Sequence, residues 1–349
     1  MEQCETSPQS PSPSVSPAAP AALAERVVCG AQLRERGMTS ARVAERCRAG
    51  GPWQALLPGV YLLRPGPPTG EELLRAVLLY AGRPVRPARA VLPAQRPEGG
   101  PYGEAVITGL AALALRGFAA APTLRSLDAI DVLVPRSRRL RSTGRARLVR
   151  THALPVAEEV TGVPVAPAAR AVADAVAGLT DPGAVRLLLT EAVRGGHCEP
   201  AAVVRELSDA RLLGRPHVVD AVDALLAEGR ALAEDRLYAL VRSADLPEPL
   251  WNVDLRLPGG PHLGGVDAYW PEQAVAVELD TRAPRHDEDA LWSEHAKKRD
   301  TLERLGITVV HLTPRKLREA PDQQSVVVRT AMMAAADREP AAYVVVLPR

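Results

Sequence analysis

The sequence predicts a mixed α/β protein with several segments, and three observations support this fold class. The chain has 349 residues, which is enough for two or three domains. Its hydrophobic fraction of 46% is ordinary for a chain that buries apolar cores. Stretches with helical spacing of apolar residues alternate with short apolar runs typical of strands, most regularly in the C-terminal third.

The charge composition does not by itself indicate a polyanion as partner. The net charge is only +2, and nearly all basic residues are arginine, because the chain has just three lysines. Phosphate binding depends on where basic residues cluster rather than on their total number. A nucleic-acid site must therefore be sought as a local cluster. The three lysines are Lys297, Lys298 and Lys316.

The cysteines and the apolar runs bear on the compartment. The cysteines are scattered without a C-x-x-C pair, so neither a zinc ribbon nor a disulfide framework is predicted. No basic segment followed by an apolar run opens the chain, and no stretch of about 18 apolar residues occurs, so we expect neither secretion nor membrane spanning. A reducing cytoplasm fits best. The cysteines are Cys4, Cys29, Cys47 and Cys198.

The N-terminal tail, residues 1–25, consists mainly of Ser, Pro and Ala. Such a composition has almost no large apolar side chains and cannot offset the entropy lost on ordering. We expect this segment to be disordered.

Residues 26–65 have the element order of a winged helix-turn-helix. Helical spacing from Arg26 ends at Gly37, and a second helix begins with Thr39 or Ser40 as N-cap and ends at Gly50. Two short strands then surround Pro58-Gly59.

The second helix is the candidate DNA contact. A helix-turn-helix places this helix in the major groove, where residues near its start reach bases and basic residues meet phosphates. A short winged helix can equally serve as a protein-interaction module, so both interpretations remain open. The candidate residues are Thr39, Ser40, Arg42, Arg46 and Arg48.

Residues 66–209 form a middle α/β region in which helical and strand-like stretches are mixed without a clear topology. Within it lies a cluster of arginines opposed only by Asp131. The cluster predicts salt-dependent contact with a phosphate backbone, chiefly by Arg138, Arg139 and Arg141. The alternative is a solvated loop in an arginine-rich chain. The other members are Arg136, Arg145, Arg147 and Arg150.

Residues 210–349 show the order αβββαβ, followed by a further helix and a closing strand. Asp267 and Glu278 lie on consecutive strands joined by a turn at 270–273. A hairpin would bring these carboxylates together, with Asp280 on the same face as Glu278 because side chains alternate with period two. Glu234 on the preceding helix is a further candidate. Converging carboxylates suit a hard cation such as Mg²⁺, although each acid could instead be a turn residue or a strand end facing water.

This C-terminal segment resembles the PD-(D/E)XK superfamily, specifically small domains similar to the very-short-patch repair endonucleases. The resemblance implies metal-dependent DNA cleavage, with Glu234, Asp267 and Glu278 as metal ligands. The family has a catalytic lysine two residues after the second acid, where this chain has Asp280. Lys297 or Lys298 could supply that charge instead, and Lys298 is our candidate. His286 and His295 flank the same helix as further candidates or surface residues.

The stretch from Arg26 to Asp174 also resembles the AbiEi antitoxins of type IV toxin-antitoxin systems. The likeness lies in Gly37–Gly50 with the WQALLPGVYLL that follows, in ITGLAALALRGF and IDVLVPRSRR, and in GVPVAPAARAVADAV. It implies a transcriptional autoregulator with a cognate toxin. Two functions therefore remain open. One is a DNA-binding protein with a metal-dependent nuclease domain, and the other is a non-enzymatic repressor with a degenerate nuclease fold.

Overall fold

The computed structural model describes residues 26–83, 100–281, 288–336 and 343–349. In this part of the chain it has eleven helices and three sheets, which confirms a mixed α/β protein. The tail predicted over residues 1–25 lies outside the described residues. None of the described helices is both long enough and apolar enough to cross a membrane.

The chain divides into two compact units. The N-terminal unit runs to Gly117 and includes Ala121–Pro167, and the C-terminal unit has Phe118–Ala120 and Ala168–Arg349. The division after Pro167 falls inside the segment 66–209 that the sequence groups together. The helices that follow Pro167 therefore belong with the C-terminal unit.

The N-terminal unit begins with two short helices and a three-stranded antiparallel sheet of order β1-β3-β2. Leu33 and Val43, one from each helix, pack with Val28 of the first strand in a small core. The sequence predicts helix from Arg26 onwards, which is wrong for Val27–Cys29. These residues form a strand because they pair with the far strand of the hairpin. The elements are β1 (Val27–Cys29), α1 (Gly30–Glu35), α2 (Ser40–Arg46), β2 (Gln54–Leu57) and β3 (Val60–Leu62).

The third helix, α3 (Gly70–Gly82), joins this small sheet to the rest of the unit. Its Arg75 side chain is buried and donates a hydrogen bond of 3.0 Å to the carbonyl oxygen of Val27 in β1. At the helix start, burial acts to raise the pKa of Glu72, but hydrogen bonds from Arg64 and Thr69 outweigh it and the pKa is lowered. The charged Glu72 thus ties the end of the hairpin to α3.

A second sheet of order β6-β5-β4-β8-β7 completes the N-terminal unit. The pairs β5/β6 and β4/β8 are parallel, and the others are antiparallel. The sequence predicts β5 and β6 but not the hairpin of β7 and β8, whose strands have only three residues each. The elements are β4 (Val106–Thr108), α4 (Gly109–Leu115), β5 (Ile130–Pro135), β6 (Ala146–Thr151), β7 (Glu158–Val160) and β8 (Val163–Val165).

Four helices open the C-terminal unit, and the long fourth helix leads into its sheet. Asp181 caps one of them by accepting hydrogen bonds from the backbone N–H groups of Gly183 and Ala184. Proline stands near the start of three of these helices, where its missing N–H has no intrahelical partner to lose. The helices are α5 (Ala168–Gly178), α6 (Pro182–Arg194), α7 (Pro200–Asp209) and α8 (Pro216–Ser243).

The sheet of the C-terminal unit has five strands in the order β12-β11-β10-β9-β13. Only β11 and β12 are parallel, and helix α9 connects them. The elements from α8 to β12 follow the predicted order αβββαβ. The elements are β9 (Leu250–Arg256), β10 (His262–Trp270), β11 (Val275–Leu279), α9 (Glu288–Arg304), β12 (Thr308–Leu312), α10 (Pro314–Glu319), α11 (Pro321–Ala336) and β13 (Val345–Pro348).

The two faces of this sheet are covered by different helices. Ala268 and Val277 belong to a core shared with Leu237 of α8 and Val328 of α11. Tyr269 and Ala276 belong to a second core with Leu302 of α9. Because side chains alternate along a strand, the residue after Val277 lies on the α9 face. Val266 and Ala268 belong to different cores, so β10 does not alternate regularly between the two cores at the residue between them.

Candidate functional site

Asp267 and Glu278 lie on the neighbouring strands β10 and β11. Glu278 is on the α9 face and ion-pairs with Lys298, whereas Asp267 ion-pairs with Arg230 of α8. Ala268 pairs with Val277 across the antiparallel strands β10 and β11, and continuing this register by one residue sets Asp267 opposite Glu278. Both side chains are buried, with 7% and 8% of their residue surfaces exposed. Asp267 Oδ2 accepts a hydrogen bond of 2.6 Å from the backbone N–H of Leu279. Asp267 is therefore bonded to the backbone of the residue that follows Glu278, and the convergence of the two carboxylates on one cation stays a prediction.

A lysine from helix α9 binds Glu278. The ammonium of Lys298 forms an ion pair with Glu278 and donates a hydrogen bond of 2.6 Å to the carbonyl oxygen of Gly265. Its side chain is mostly covered, with 21% exposed. The preceding Lys297 is exposed. Of the two lysines that the sequence offers, Lys298 is the one that reaches Glu278.

Arg230 of helix α8 links Asp267 to Glu234. Its Nη2 lies 2.7 Å from Asp267 Oδ1, and its Nε lies 2.8 Å from Glu234 Oε1. Glu234 therefore adjoins the buried acids through an arginine rather than directly. Sequence reasoning missed Arg230, because one arginine in an arginine-rich chain carries no distinguishing signal.

Tyr238 of α8 lies near the same carboxylates. Burial raises the pKa of the Tyr238 hydroxyl, and negative charges that include those of Glu234 and Asp267 raise it further.

His311 is a second residue that sequence reasoning missed. It is the register partner of Glu278 in the parallel pair of β11 and β12, and its Nδ1 lies 3.6 Å from Glu278 Oε2. Its side chain is 37% exposed. Aligning the apolar run before Glu278 with the run around His311 as parallel strands would have found it. Of the predicted histidines, His286 lies outside the described residues, and the side chain of His295 is not part of the described structure.

Asp280 does not join the acids. It is the first residue after β11, is exposed, and donates its backbone N–H to the carbonyl oxygen of Leu312. Its side chain makes no hydrogen bond or ion pair with any described residue. The strand ends at Leu279, so the alternation that would aim Asp280 at the site no longer applies.

The donors of the site suit a hard divalent cation in type but not in number. Asp267 and Glu278 offer carboxylate oxygens, which Mg²⁺ prefers. Across the described stretches, however, no three His, Cys, Asp or Glu side chains are grouped so that they could hold a metal ion. Both oxygens of Asp267 are already engaged, one by Arg230 and one by Leu279. A cation would compete with Arg230 for Asp267.

The candidate DNA-contact residues of α2 are largely exposed. Thr39 caps the helix by accepting a hydrogen bond of 3.4 Å from the backbone N–H of Arg42. Ser40 and the side chain of Arg42 stand exposed at the helix start. The Arg46 guanidinium lies over the Trp53 ring, 4.8 Å from its centroid. Arg42 is thus the freer of the two predicted arginine contacts in this helix.

Most side chains of the arginine cluster form hydrogen bonds or ion pairs within the protein. Arg138 turns inward and donates to the carbonyl oxygens of Ala81 and Arg83, the latter at 2.6 Å. Its burial lowers the pKa of the Arg138 guanidinium. Nη2 of Arg138 thus holds the C-terminal end of α3, and the predicted phosphate contact of Arg138 stays a prediction. The other engaged members are Arg136, Arg145, Arg147 and Arg150.

Arg139 and Arg141 are the free members of the cluster. Both are exposed, and neither side chain forms a hydrogen bond or an ion pair within residues 26–83, 100–281, 288–336 and 343–349. The carbonyl oxygen of Arg141 accepts a hydrogen bond of 2.7 Å from the Tyr80 hydroxyl, which fixes the backbone while the guanidinium faces solvent. These two arginines can meet a polyanion without breaking an internal contact.

The chain matches no protein-family model, and no curated protein is significantly similar to it.

Proposed function

We propose that this protein is a DNA-binding nuclease whose C-terminal unit hydrolyses phosphodiester bonds with a divalent cation. The observation that carries the proposal is the ion pair of Glu278 with Lys298, together with the hydrogen bond that the buried Asp267 accepts from the backbone of Leu279, the residue after Glu278. Two acids and a lysine are the functional groups of the PD-(D/E)XK nucleases that this segment resembles. The order αβββαβ, with β12 parallel to β11, supports the same assignment.

Lys298 takes the part of the lysine that the family carries two residues after the second acid. Here that position is the exposed Asp280, and the ammonium comes from α9 instead. An ammonium fixed by Glu278 and a backbone carbonyl retains a further N–H donor for a phosphoryl oxygen. Its charge stabilises the negative charge that develops on that oxygen.

Asp267 and Glu278 are the residues that would hold Mg²⁺, with Glu234 as the nearest additional carboxylate. When bound, such a cation polarises the phosphate and lowers the pKa of a water molecule. The backbone N–H of Leu279 orients Asp267. Arg230 ion-pairs with both Asp267 and Glu234 and offsets part of their negative charge.

The N-terminal unit supplies DNA binding in this proposal. Two helices followed by a hairpin, with β1 closing a three-stranded sheet, are typical of a winged helix-turn-helix. Exposed basic residues at α2 and in the loop after β5 provide contacts to phosphate. The residues concerned are Arg42, Arg139 and Arg141.

The direct test is cleavage of plasmid and short duplex DNA by the purified full chain with Mg²⁺, Mn²⁺ or a chelator. We expect nicking or cutting that requires the cation. A Glu278→Gln variant purified in the same way controls for a contaminating nuclease. Absence of cation-dependent cleavage on duplex, single-stranded and mismatched DNA would overturn the enzymatic proposal.

A second candidate function is a non-enzymatic repressor or antitoxin of the AbiEi type. It is favoured by one observation, that both buried acids already have cationic partners in Arg230 and Lys298. A domain built for DNA or protein binding alone would need these ion pairs only for stability. DNA binding without cleavage, together with no effect of Mg²⁺ on the melting temperature, would favour this function.

DNA binding should depend on Arg139 and Arg141. In the double variant Arg139→Ala/Arg141→Ala we expect the slope of log K against log salt to fall by about 1.8, since each phosphate contact contributes about 0.9. Arg125→Ala, at another exposed arginine of the same unit, is the matched control and should leave the slope unchanged. The measurement is a binding titration at several salt concentrations. An unchanged slope in the double variant would assign these arginines to solvent.

Arg138→Ala should act on stability instead. The variant loses hydrogen bonds to the carbonyl oxygens of Ala81 and Arg83. We expect a cost of roughly 1 to 3 kcal/mol, measured by denaturant unfolding, because a charged donor is removed from partly buried acceptors. Binding at a temperature where the variant is folded should keep the wild-type salt slope. A full-stability variant with a lower slope would contradict the inward assignment of Arg138.

A further inference from the structure

The Lys298 side chain passes close to two glycines of strand β10. A lysine has four rotatable bonds, and holding it in one conformation costs conformational entropy. An ion pair with Glu278 alone fixes the position of the Lys298 ammonium. It does not fix the conformation of the methylene groups that lead to it. The sequence places Gly264 and Gly265 just before the strand residues that lead to Asp267.

Gly264 leaves the space through which the lysine passes. A Cβ atom at Gly264 would lie 2.5 Å from Lys298 Cε, 2.9 Å from Cδ and 3.3 Å from Nζ. The two carbon distances are far below ordinary carbon contacts of about 3.5 to 4.0 Å. No side chain could be present there without displacing the lysine.

The backbone conformation at Gly264 is a second feature that favours glycine at this position. Its φ is +120°, a conformation that residues with a side chain rarely adopt. The register between β10 and β9 shifts between His262 and Gly264. Such irregularities bend a strand and re-aim the groups next to it, and they are common beside active sites.

Gly265 provides the anchor for the ammonium. Its carbonyl oxygen accepts the 2.6 Å hydrogen bond from Lys298 Nζ. A Cβ atom at Gly265 would lie 2.7 Å from Arg349 Nη1 and 2.7 Å from Asp254 Oδ1. A side chain at Gly265 would therefore have to displace the ends of the Arg349 and Asp254 side chains.

We propose that Gly264 and Gly265 form a seat for Lys298, with Gly264 as a positioning residue that holds the lysine ammonium against Glu278. This inference rests on the proposed nuclease function only for the role of the ammonium, and the seat itself is a structural property. It also explains how position 280 can be occupied by an aspartate. With Lys298 held in this seat, helix α9 supplies the positive charge that strand β11 lacks.

The first test observes the lysines directly. The full chain has three lysines, so NMR of side-chain ¹⁵N-labelled lysine gives at most three ammonium signals, and Lys298→Arg identifies one of them. We expect the Lys298 signal to be distinct and slowly exchanging, because its ammonium is largely covered and bonded. Gly264→Ala should move it to the position of an exposed lysine such as Lys297 and reduce any cleavage by at least about tenfold. An unshifted signal in folded Gly264→Ala would overturn the seat.

Gly259→Ala is the matched control for backbone strain. Gly259 lies in the turn between β9 and β10, has a φ of +62°, and has no atom within 4 Å of a built Cβ. This variant adds strain at a positive φ without occupying the path of a side chain. We expect its Lys298 signal to stay where it is in the wild type. A shift as large as that of Gly264→Ala would show that strain, not space, moves the lysine.

A double-mutant cycle keeps the test decisive if Gly264→Ala is poorly folded. When Lys298 is shortened to Ala, the space beyond Gly264 is vacated, so Gly264→Ala should lower the melting temperature less than in the wild-type background. Equal losses in both backgrounds would overturn the seat. Neither readout requires DNA cleavage. If the two substitutions are coupled in a protein that does not cleave DNA, the seat is supported and only the nuclease function is refuted.

Discussion

Replacing Lys298 with Met is expected to reduce cation-dependent DNA cleavage by about 10²- to 10³-fold, the size typical for loss of one preorganised group that stabilises developing charge. Lys298 is the only lysine placed at a buried acid in the described part of the chain. Methionine has a similar length and no charge, so the variant removes the ammonium with little change in shape. The measurement is the single-turnover cleavage rate at saturating protein.

Lys297→Met is the matched control for this experiment. Lys297 is the preceding residue of the same helix and is exposed, so its rate should stay within about twofold of wild type. If both variants cleaved at the wild-type rate, the ammonium would have no part in the chemistry. If only Lys297→Met lost activity, the assignment of the lysine would be wrong.

Stability must be followed in the Lys298 variant. Glu278 is buried, and after loss of Lys298 its nearest remaining basic group is His311. Removing one partner of a buried pair can cost about 3 to 5 kcal/mol. Lys298→Arg retains the positive charge and should be the more stable variant, while its planar guanidinium fits the seat at Gly264 poorly. A loss of cleavage in a folded Lys298→Arg protein would show that cleavage depends on the position of the positive charge and not only on its presence.

The placement of the acids on two consecutive strands could be predicted from the sequence because it follows from local rules. Apolar runs and a short turn at 270–273 suffice to set Asp267 and Glu278 on neighbouring antiparallel strands. The choice between Lys297 and Lys298 could not be made this way. It depends on a close approach to Gly264 in another element, and a glycine in a sequence does not reveal which side chain fills its space.

The arginine-rich composition also limited what the sequence could predict about individual residues of the N-terminal unit. The arginine cluster is visible as a sequence feature, but its members have different roles. Arg138 finds carbonyl oxygens at the end of α3, whereas Arg139 and Arg141 face solvent. Only the tertiary position of α3 distinguishes them. The same holds for β1, whose three residues become a strand through pairing with β3.

Asp267→Asn is expected to abolish cleavage. Loss of residues that merely support metal ligands lowers activity by about 10- to 100-fold, so loss of a ligand itself should exceed about 10²-fold. The amide keeps the shape of the side chain but not the charge that attracts a hard cation. DNA binding should be retained or tighter, because one carboxylate that repels phosphate is gone.

Asp267→Asn should also lower the free energy of unfolding, and the size of this loss distinguishes the variant from one that does not fold. Asp267 accepts hydrogen bonds from Arg230 on one oxygen and from Leu279 on the other. An asparagine can accept on only one side, and its amino group then faces a donor. We expect a loss of roughly 1 to 3 kcal/mol of unfolding free energy, measured by denaturant titration.

Asp280→Asn completes the experiment as the control for Asp267→Asn. Asp280 is the neighbouring exposed aspartate, outside the group of acids, so this variant should cleave at close to the wild-type rate and unfold with wild-type stability. A folded Asp267→Asn protein that cleaved as fast as Asp280→Asn would remove the role of this acid in catalysis. In that case the buried acids and their arginine and lysine partners serve stability, and the repressor becomes the better account of the chain.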